Sequence, residues 1–341
     1  HEALAGAEPI LIYLPHTVVF LSLLVDRFNA LHYTPLMSTK AQTAAASLGL
    51  IFTTLIWGFA FVIVKNSLDY VPPIYMLAFR FTIAALVLPF IFLKKIKKID
   101  LKYILNGSLL GFFLFAAYAF QTIGCQYTTA GKNAFITTIY VILVPFFHWI
   151  FTKKRPDLYA VAAAVLGITG IGLLSLQGDL SVNTGDLLTL VCGFCYAVHI
   201  VFIARFTEHQ DPVILTIIQL ASAAVFSWIF APLYDGAFPL AALQNPSVVF
   251  SMLYLGLMST MAAFLFQTVC QKYVPPSTAA LLLSLEAVFG VFFAWILLKE
   301  YLTIRMAFGC ILIFTAVVLA ETHFDFLKRR KKLNTDAQLR V

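Results

Sequence analysis

The chain has 341 residues, of which 61% are hydrophobic and only 11% charged. Soluble domains carry about 45–50% apolar and about 25% charged residues, so the composition excludes a soluble globular protein and describes a polytopic membrane protein. The net charge of +7 is no nucleic-acid signal, because the Lys and Arg residues stand in short loops between apolar runs, where they set membrane orientation.

Residues 1–36 differ from the rest. The chain opens on His1, and the apolar run from Ile10 to Val25 is shorter than the roughly 20 residues that cross a bilayer. No basic stretch precedes that run, as a signal peptide would require. Met37-Ser38-Thr39-Lys40 reads as a native start. Residues 1–36 are then an N-terminal extension, either non-native or an interfacial eleventh helix. From Ala41 onward ten apolar runs follow, at about 41–65, 74–93, 103–123, 129–151, 158–176, 185–204, 212–231, 247–270, 277–298 and 302–321. Each suits a membrane-spanning helix, and in lipid a helix is what satisfies the backbone of such a run. Breakers such as Pro72-Pro73, Gln177-Gly178-Asp179, Asp211-Pro212 and Pro275-Pro276 separate them. The expected fold is all-α, polytopic, with ten transmembrane helices, followed by a basic tail over 325–341.

Charge orients the segments. With a cytoplasmic N-terminus, the inside loops hold Lys94, Lys95, Lys97, Lys98, Lys102, Lys153, Lys154, Arg155, Arg205 and Lys272, and the tail adds Lys328 to Lys332. The other side keeps Lys65, Lys299 and Arg305 near helix ends. The positive-inside rule therefore predicts that both termini are cytoplasmic.

The stretch from Phe120 to Lys153 is written twice. Adding 146 to each position returns Phe266-Gln267-Thr268, Tyr273, Ala280, Phe292-Phe293, Trp295-Ile296 and Lys299, ten identities in 34 positions without a gap. Roughly three would be chance at this composition, so an internal repeat is inferred. Pro73 to Ala85 echoes Pro212 to Ala224, with Arg80 opposite Gln219, and Gly58-Phe59 echoes Gly193-Phe194. Five helices separate the copies. An odd number places the two halves in the membrane in opposite senses, the architecture of secondary transporters.

Trp57-Gly58, Arg80, Tyr140 to Pro145, and Leu285-Glu286-Ala287-Val288-Phe289 running on to Lys299-Glu300 carry a resemblance. The sequence resembles the EamA family of the drug/metabolite transporter superfamily over about 40–325. The resemblance implies two inverted five-helix repeats, 37–178 and 179–324. It also implies export or exchange of small metabolites, often amino acids, and, with the compact loops, a bacterial inner membrane. The family pattern usually has Pro after that Glu; Ala287 stands there instead, which puts a proline kink at that point in doubt.

Several polar residues sit inside the predicted helices. Glu286 is an intramembrane carboxylate, which is costly unless it faces a cavity or a partner. It could pair with a substrate amine or carry a coupling proton; a carboxyl capped by neighbouring hydroxyls is the structural alternative. Its repeat partner is Tyr140. Asn133, Thr137, Tyr140, Val144 and His148 fall on one helical face. Cys192, Cys195, Tyr196 and His199 form a stripe on the sixth helix, with His199 deep enough to titrate or bind substrate, though a lone His on an apolar helix more often makes one structural hydrogen bond. Trp57 offers an aromatic wall. Arg80 either snorkels outward or meets an anion at the outer mouth. Gln121 and Gln267 are possible gates, with helix-end capping as the other reading. Gly107, Gly111, Gly167, Gly170 and Gly172 read as close-approach sites between helices.

These residues favour a carrier for amino-acid-like or amine-bearing metabolites. A carrier for nucleotide sugars or sugar phosphates would want a basic cavity, and Arg80 and Lys132 alone offer it. No H-E-x-x-H, G-x-S-x-G or nucleotide-binding loop is present, so no enzyme activity, cofactor or ATP-driven step is expected. The C-x-x-C of Cys192 and Cys195 has no second pair to make a zinc site, so no metal is expected either. The expected partners are a small-molecule substrate and the lipid bilayer, with a proton as the candidate coupling ion; the chain is a monomer or homodimer.

Overall fold

A computed structural model describes residues 39–153, 155, 158–175, 183–301 and 303–322. The N-terminal extension and the basic tail lie outside the described residues. The described chain forms α1 (Thr39–Ser67), α2 (Pro73–Ile91), α3 (Leu101–Tyr127), α4 (Ala130–Thr152), α5 (Leu158–Ser175), α6 (Thr184–Thr207), α7 (Pro212–Tyr234), α8 (Pro246–Gln271), α9 (Pro276–Leu297) and α10 (Ile304–Thr322). Eight of these are long and apolar enough to cross a membrane, and α5 and α10 contain the shorter apolar helices Val161–Gly170 and Ile304–Ala316.

Helix starts follow their capping residues. Asp100 accepts from Tyr103 N–H, Thr129 from Lys132 N–H and Asp211 from Val213 N–H, while Asn183 and Asp186 form a capping box at α6. Proline opens α2, α7, α8 and α9, where its missing N–H costs nothing. The surface is apolar: Phe90, Leu86, Phe112, Val165, Phe308 and Phe314 are exposed, whereas Thr53, Thr54, Arg80, Thr137, Gln219 and Ser259 are buried. A lipid solvent allows this arrangement, since polar side chains find their partners inside the bundle.

Contacts show the inversion. The carboxylate of Asp235, after α7, accepts from Ile74 and Tyr75 N–H at the start of α2, each at 2.8 Å. Lys95, after α2, pairs with Asp211 at the start of α7 at 2.7 Å. Thus α2 and α7 run antiparallel. So do α4 and α9, because Gly131 meets Glu300 near one end and Tyr140 meets Glu286 midway. Glycine contacts obey the same relation. A Cβ on Gly58 would collide with Phe289 of α9, and one on Gly193 would collide with Ile139 of α4. Gly107 and Gly111 bring α3 against α7, while Gly256 brings α8 against Ile83 of α2. Gly170 approaches Gly309 O, where a Cβ would lie at 2.8 Å. Gly167 and Gly172 depart from expectation: a Cβ on the first would make an ordinary 3.6 Å contact, and one on the second would meet nothing within 4 Å among the described residues.

The repeated helices are both discontinuous. α4 is two pieces, Ala130–Thr137 and Tyr140–Thr152, and α9 is two pieces, Pro276–Leu283 and Leu285–Leu297. The breaks fall at Thr138 and Ser284, which the shift of 146 superimposes. At both, the hydroxyl turns back on a carbonyl three residues earlier, Thr138 to Phe135 O at 2.7 Å and Ser284 to Leu281 O at 2.6 Å. That local bond competes with the helical ladder. α9 thus breaks with Ala287 in place of the family's proline. The repeat also copies a backbone rarity: Lys153 and Lys299 end these helices at φ of 59° and 55°, in the left-handed region that costs an L-residue about 1–2 kcal/mol.

Candidate functional site

The breaks in α4 and α9 lie next to the residues that meet between them. The Tyr140 hydroxyl donates to Glu286 Oε1 at 2.8 Å, and both side chains are buried. Residues related by an internal two-fold can touch one another only near its axis, so this bond lies near the axis that relates the two halves. Each lies at the start of a half-helix, where the positive end of the dipole favours a carboxylate.

Beside Glu286 is a small cavity of about 20 Å³, room for about one water molecule. Trp57, Phe61, Tyr118 and Tyr196 supply aromatic walls, and Arg80, Gln121, Asn133 and Ser259 supply polar ones. Two formal charges line it, of opposite sign and more than 4 Å apart, since no ion pair joins Arg80 to Glu286. Arg80 is only 1% exposed and does not snorkel. It turns inward because α8 offers hydroxyls: Nε donates to Thr260 Oγ1 at 2.7 Å and Nη2 to Ser259 Oγ at 2.8 Å. Its guanidinium carbon also stands 4.5 Å from the centre of the Tyr118 ring.

Asn133 has a fixed orientation. Its Nδ2 donates to the backbone carbonyl of Gln121 at 3.1 Å and to Thr189 Oγ1 at 2.9 Å. A carbonyl only accepts, so the amide oxygen faces the other way. That Oδ1 is buried and has no partner among the described residues. Trp57 donates to Ser259 O at 2.9 Å and packs on Phe264. Tyr196 packs edge-on to Tyr118 and Tyr140.

Other predicted residues lie elsewhere. Thr137 stands behind the wall, accepting from Gln121 Nε2 at 3.1 Å and donating to Asn133 O. His199 is not in the cavity wall; its Nε2 faces Gln219 Oε1 at 2.9 Å, and Gln219 Nε2 donates to Thr268 Oγ1. Gln121 lines the cavity, and its amide binds Thr137 instead of capping a helix end. Gln267 is buried away from the cavity, and its Oε1 has no partner among the described residues. Lys132 does not line the cavity. It pairs with Asp186 at 2.6 Å, and Asp186 also accepts from Thr128.

Sequence reasoning passed over Tyr118, Ser259, Thr260 and Asp186. Ser259-Thr260 was visible as a hydroxyl pair in an otherwise apolar run. The irregular turn that presents it was not, because α8 changes to π-helix over Leu255–Ala262. Glu300 also does more than end a motif. Its carboxylate accepts from Ala130 and Gly131 N–H at 3.0 and 3.2 Å, closing the start of α4 with a group from the other half.

Inverted halves, paired broken helices and a buried charged cavity on their axis define a membrane transporter. The chain belongs to the EamA-like transporter family, whose model matches residues 44–176 and again 183–322. A protein of Archaeoglobus fulgidus named as an uncharacterized transporter is 35% identical over 276 residues, covering 81% of this chain and 85% of that protein. A probable amino-acid metabolite efflux pump of Salmonella typhimurium is 25% identical, covering 82% of this chain and 95% of its own. One solved crystal structure, 19% identical, superposes with a TM-score of 0.66 over 81% of this chain and 97% of that one, a likeness of fold.

Proposed function

We propose that this protein is a secondary transporter that exports or exchanges amino-acid-like or amine-bearing metabolites by alternating access. The observation that carries the reading is the axial pair Glu286–Tyr140, beside a cavity that also holds Arg80. Glu286 and the free Asn133 Oδ1 accept hydrogen bonds, as an ammonium requires. Arg80 donates, as a carboxylate requires. A zwitterion satisfies both ends, and the rings of Trp57, Phe61, Tyr118 and Tyr196 accept its apolar part.

A space for about one water cannot hold a metabolite, so the arrangement is contracted. Substrate enters when the halves, 37–178 and 179–324, separate toward one side. The inverted repeat gives a second, mirrored opening on the other. Glu286 holds the ammonium or a coupling proton in alternation. A nucleotide-sugar carrier fits less well, because Lys132 is committed to Asp186 and leaves Arg80 as the cation facing Glu286. One Escherichia coli relative is named as an uncharacterized inner membrane transporter, and with the Lys-rich loops this supports an inner-membrane location with both termini cytoplasmic.

The test is flux in proteoliposomes with an amino-acid panel, with and without an imposed proton gradient. Exchange of labelled amino acid, stimulated by the gradient, is expected. No flux of any panel member would remove the substrate reading; flux indifferent to the gradient would remove the proton.

A further inference from the structure

The cation in the cavity is held by an unusual piece of backbone. Residues 255–262 of α8 wind as π-helix, and Ala263 N–H reaches back five residues to Met258 O. Single π-turns inside α-helices are rare and occur often at functional sites. This one serves two other helices at once. Its Ser259 carbonyl takes the Trp57 indole N–H of α1, and its Ser259 and Thr260 hydroxyls take two guanidinium donors from Arg80 of α2. Both hydroxyl residues are wholly buried.

The partners' chemistry is telling. A carboxylate at 259 or 260 would bind Arg80 more strongly but would also neutralise it. Hydroxyls satisfy two of the five guanidinium donors and leave the positive charge standing at the cavity wall. The other half lacks the device. Under the shift of 146, positions 259 and 260 correspond to Phe113 and Leu114, in the regular α-helix α3, and under the shift of 139 that matches the second helices, Gln219 stands where Arg80 does. The site's one cation and its irregular holder occur together, in the same copy.

We propose that Ser259 and Thr260 are positioning residues that aim Arg80 at the carboxylate of an amino-acid substrate. The π-turn fixes Trp57 in the same register. The inference rests on the zwitterion reading above and adds which residues select for the carboxylate. Ser259→Ala with Thr260→Val removes both acceptors while keeping size and shape nearly constant. Arg80 then keeps its charge and loses its direction.

The experiment uses the full chain in proteoliposomes. It measures exchange of labelled phenylalanine, whose ring the aromatic walls suit, and inhibition of that exchange by phenylalaninamide, which keeps the ammonium and has no carboxylate. The double variant is expected to raise KM for phenylalanine about tenfold, the scale of a lost charge-assisted hydrogen bond, with kcat changed less than about twofold. The inhibition constant of phenylalaninamide stays as in the wild type. Parallel weakening of both ligands would show a merely structural role and overturn the proposal, as would no change in either. Should the double variant fail to reach the membrane, Ser259→Ala alone is expected to raise KM for phenylalanine about threefold, and an unchanged KM overturns the proposal. A wild type that exchanges no phenylalanine overturns it too. That outcome differs from one in which phenylalanine is exchanged but ignores Ser259 and Thr260, which leaves the transport reading intact.

Discussion

Helices α4 and α9 are copies of one another, yet they bring different groups to the same place. Both break at a hydroxyl residue, Thr138 or Ser284, and both end in a left-handed lysine. Two residues after each break stand Tyr140 and Glu286, and these touch. Two carboxylates held that close could not both ionise; two tyrosines would leave no charge. One of each gives a carboxylate with a built-in donor. On the proposed alternating-access reading, a symmetric backbone scaffold lets both halves open by the same motion, and asymmetric chemistry suits a substrate with two different ends.

Removing the charged member of the pair should have the largest effect. Glu286→Gln keeps the volume and removes the acceptor for an ammonium or a proton, and transport is expected to fall by roughly a hundredfold or more. Gel filtration and thermal unfolding in detergent should stay close to wild type. Flux near the wild-type rate would take Glu286 out of the mechanism. Tyr140→Phe sharpens the comparison, since it deletes one hydrogen bond to a charged group, worth about 1.5–3 kcal/mol, and should slow flux roughly tenfold or more.

Arg80 and Gln219 form the second contrast. Arg80→Gln makes the first half resemble the second, and should raise KM for an amino acid at least tenfold while sparing an amine of similar size. Equal loss for both substrates would show that Arg80 serves the fold and not the carboxylate.

The repeat made much of this legible before any coordinates. Matching letters in a fixed register placed Glu286 opposite Tyr140; that the two touch depends on both lying near the axis, which the register does not give. The breaks at Thr138 and Ser284 were not legible. Thr and Ser are ordinary in such helices, and whether a hydroxyl turns on its own backbone depends on neighbours far away in sequence. Arg80 was read as a residue able to reach outward, because sequence gives the length of a side chain and not the whereabouts of its acceptors. Those acceptors stand on α8, some 180 residues later. His199 shows the same limit: its depth and its tendency to make one structural hydrogen bond are plain in the sequence, but Gln219 as the partner is not.

Packing at the breaks offers a smaller effect and a built-in control. Gly58→Ala and Gly193→Ala each push a methyl into the facing broken helix, against Phe289 and Ile139 respectively. Overpacking of this kind costs about 1–3 kcal/mol, read as a lower unfolding temperature. Gly172→Ala meets nothing within 4 Å among the described residues and should be neutral or stabilising by up to about 1 kcal/mol, the helix-propensity gain. If Gly172→Ala destabilised as much as the other two, helix approach at Gly58 and Gly193 would not explain their place in the repeat.

The smallest effect separates the two ends of the α2–α7 pair. Under the shift of 139 that aligns Arg80 with Gln219, Lys95 falls beside Asp235, so the two latches are counterparts built from different bonds. Asp235 caps two backbone N–H groups of α2, and replacing it with Ala should cost about 1–2 kcal/mol, as a lost helix cap does. Lys95 makes a side-chain ion pair with Asp211, about a quarter exposed on each side. Such pairs are worth about 0–1 kcal/mol and weaken with salt. Lys95→Ala should therefore cost less than Asp235→Ala, and the gap between them should widen from low to high ionic strength. With one end tied by a cap and the other by a screened ion pair, the proposed alternating-access motion is expected to open the end at Lys95 first. Thermal unfolding of both variants across a salt series measures this directly. A larger cost for Lys95→Ala at every ionic strength would reverse the order of the latches.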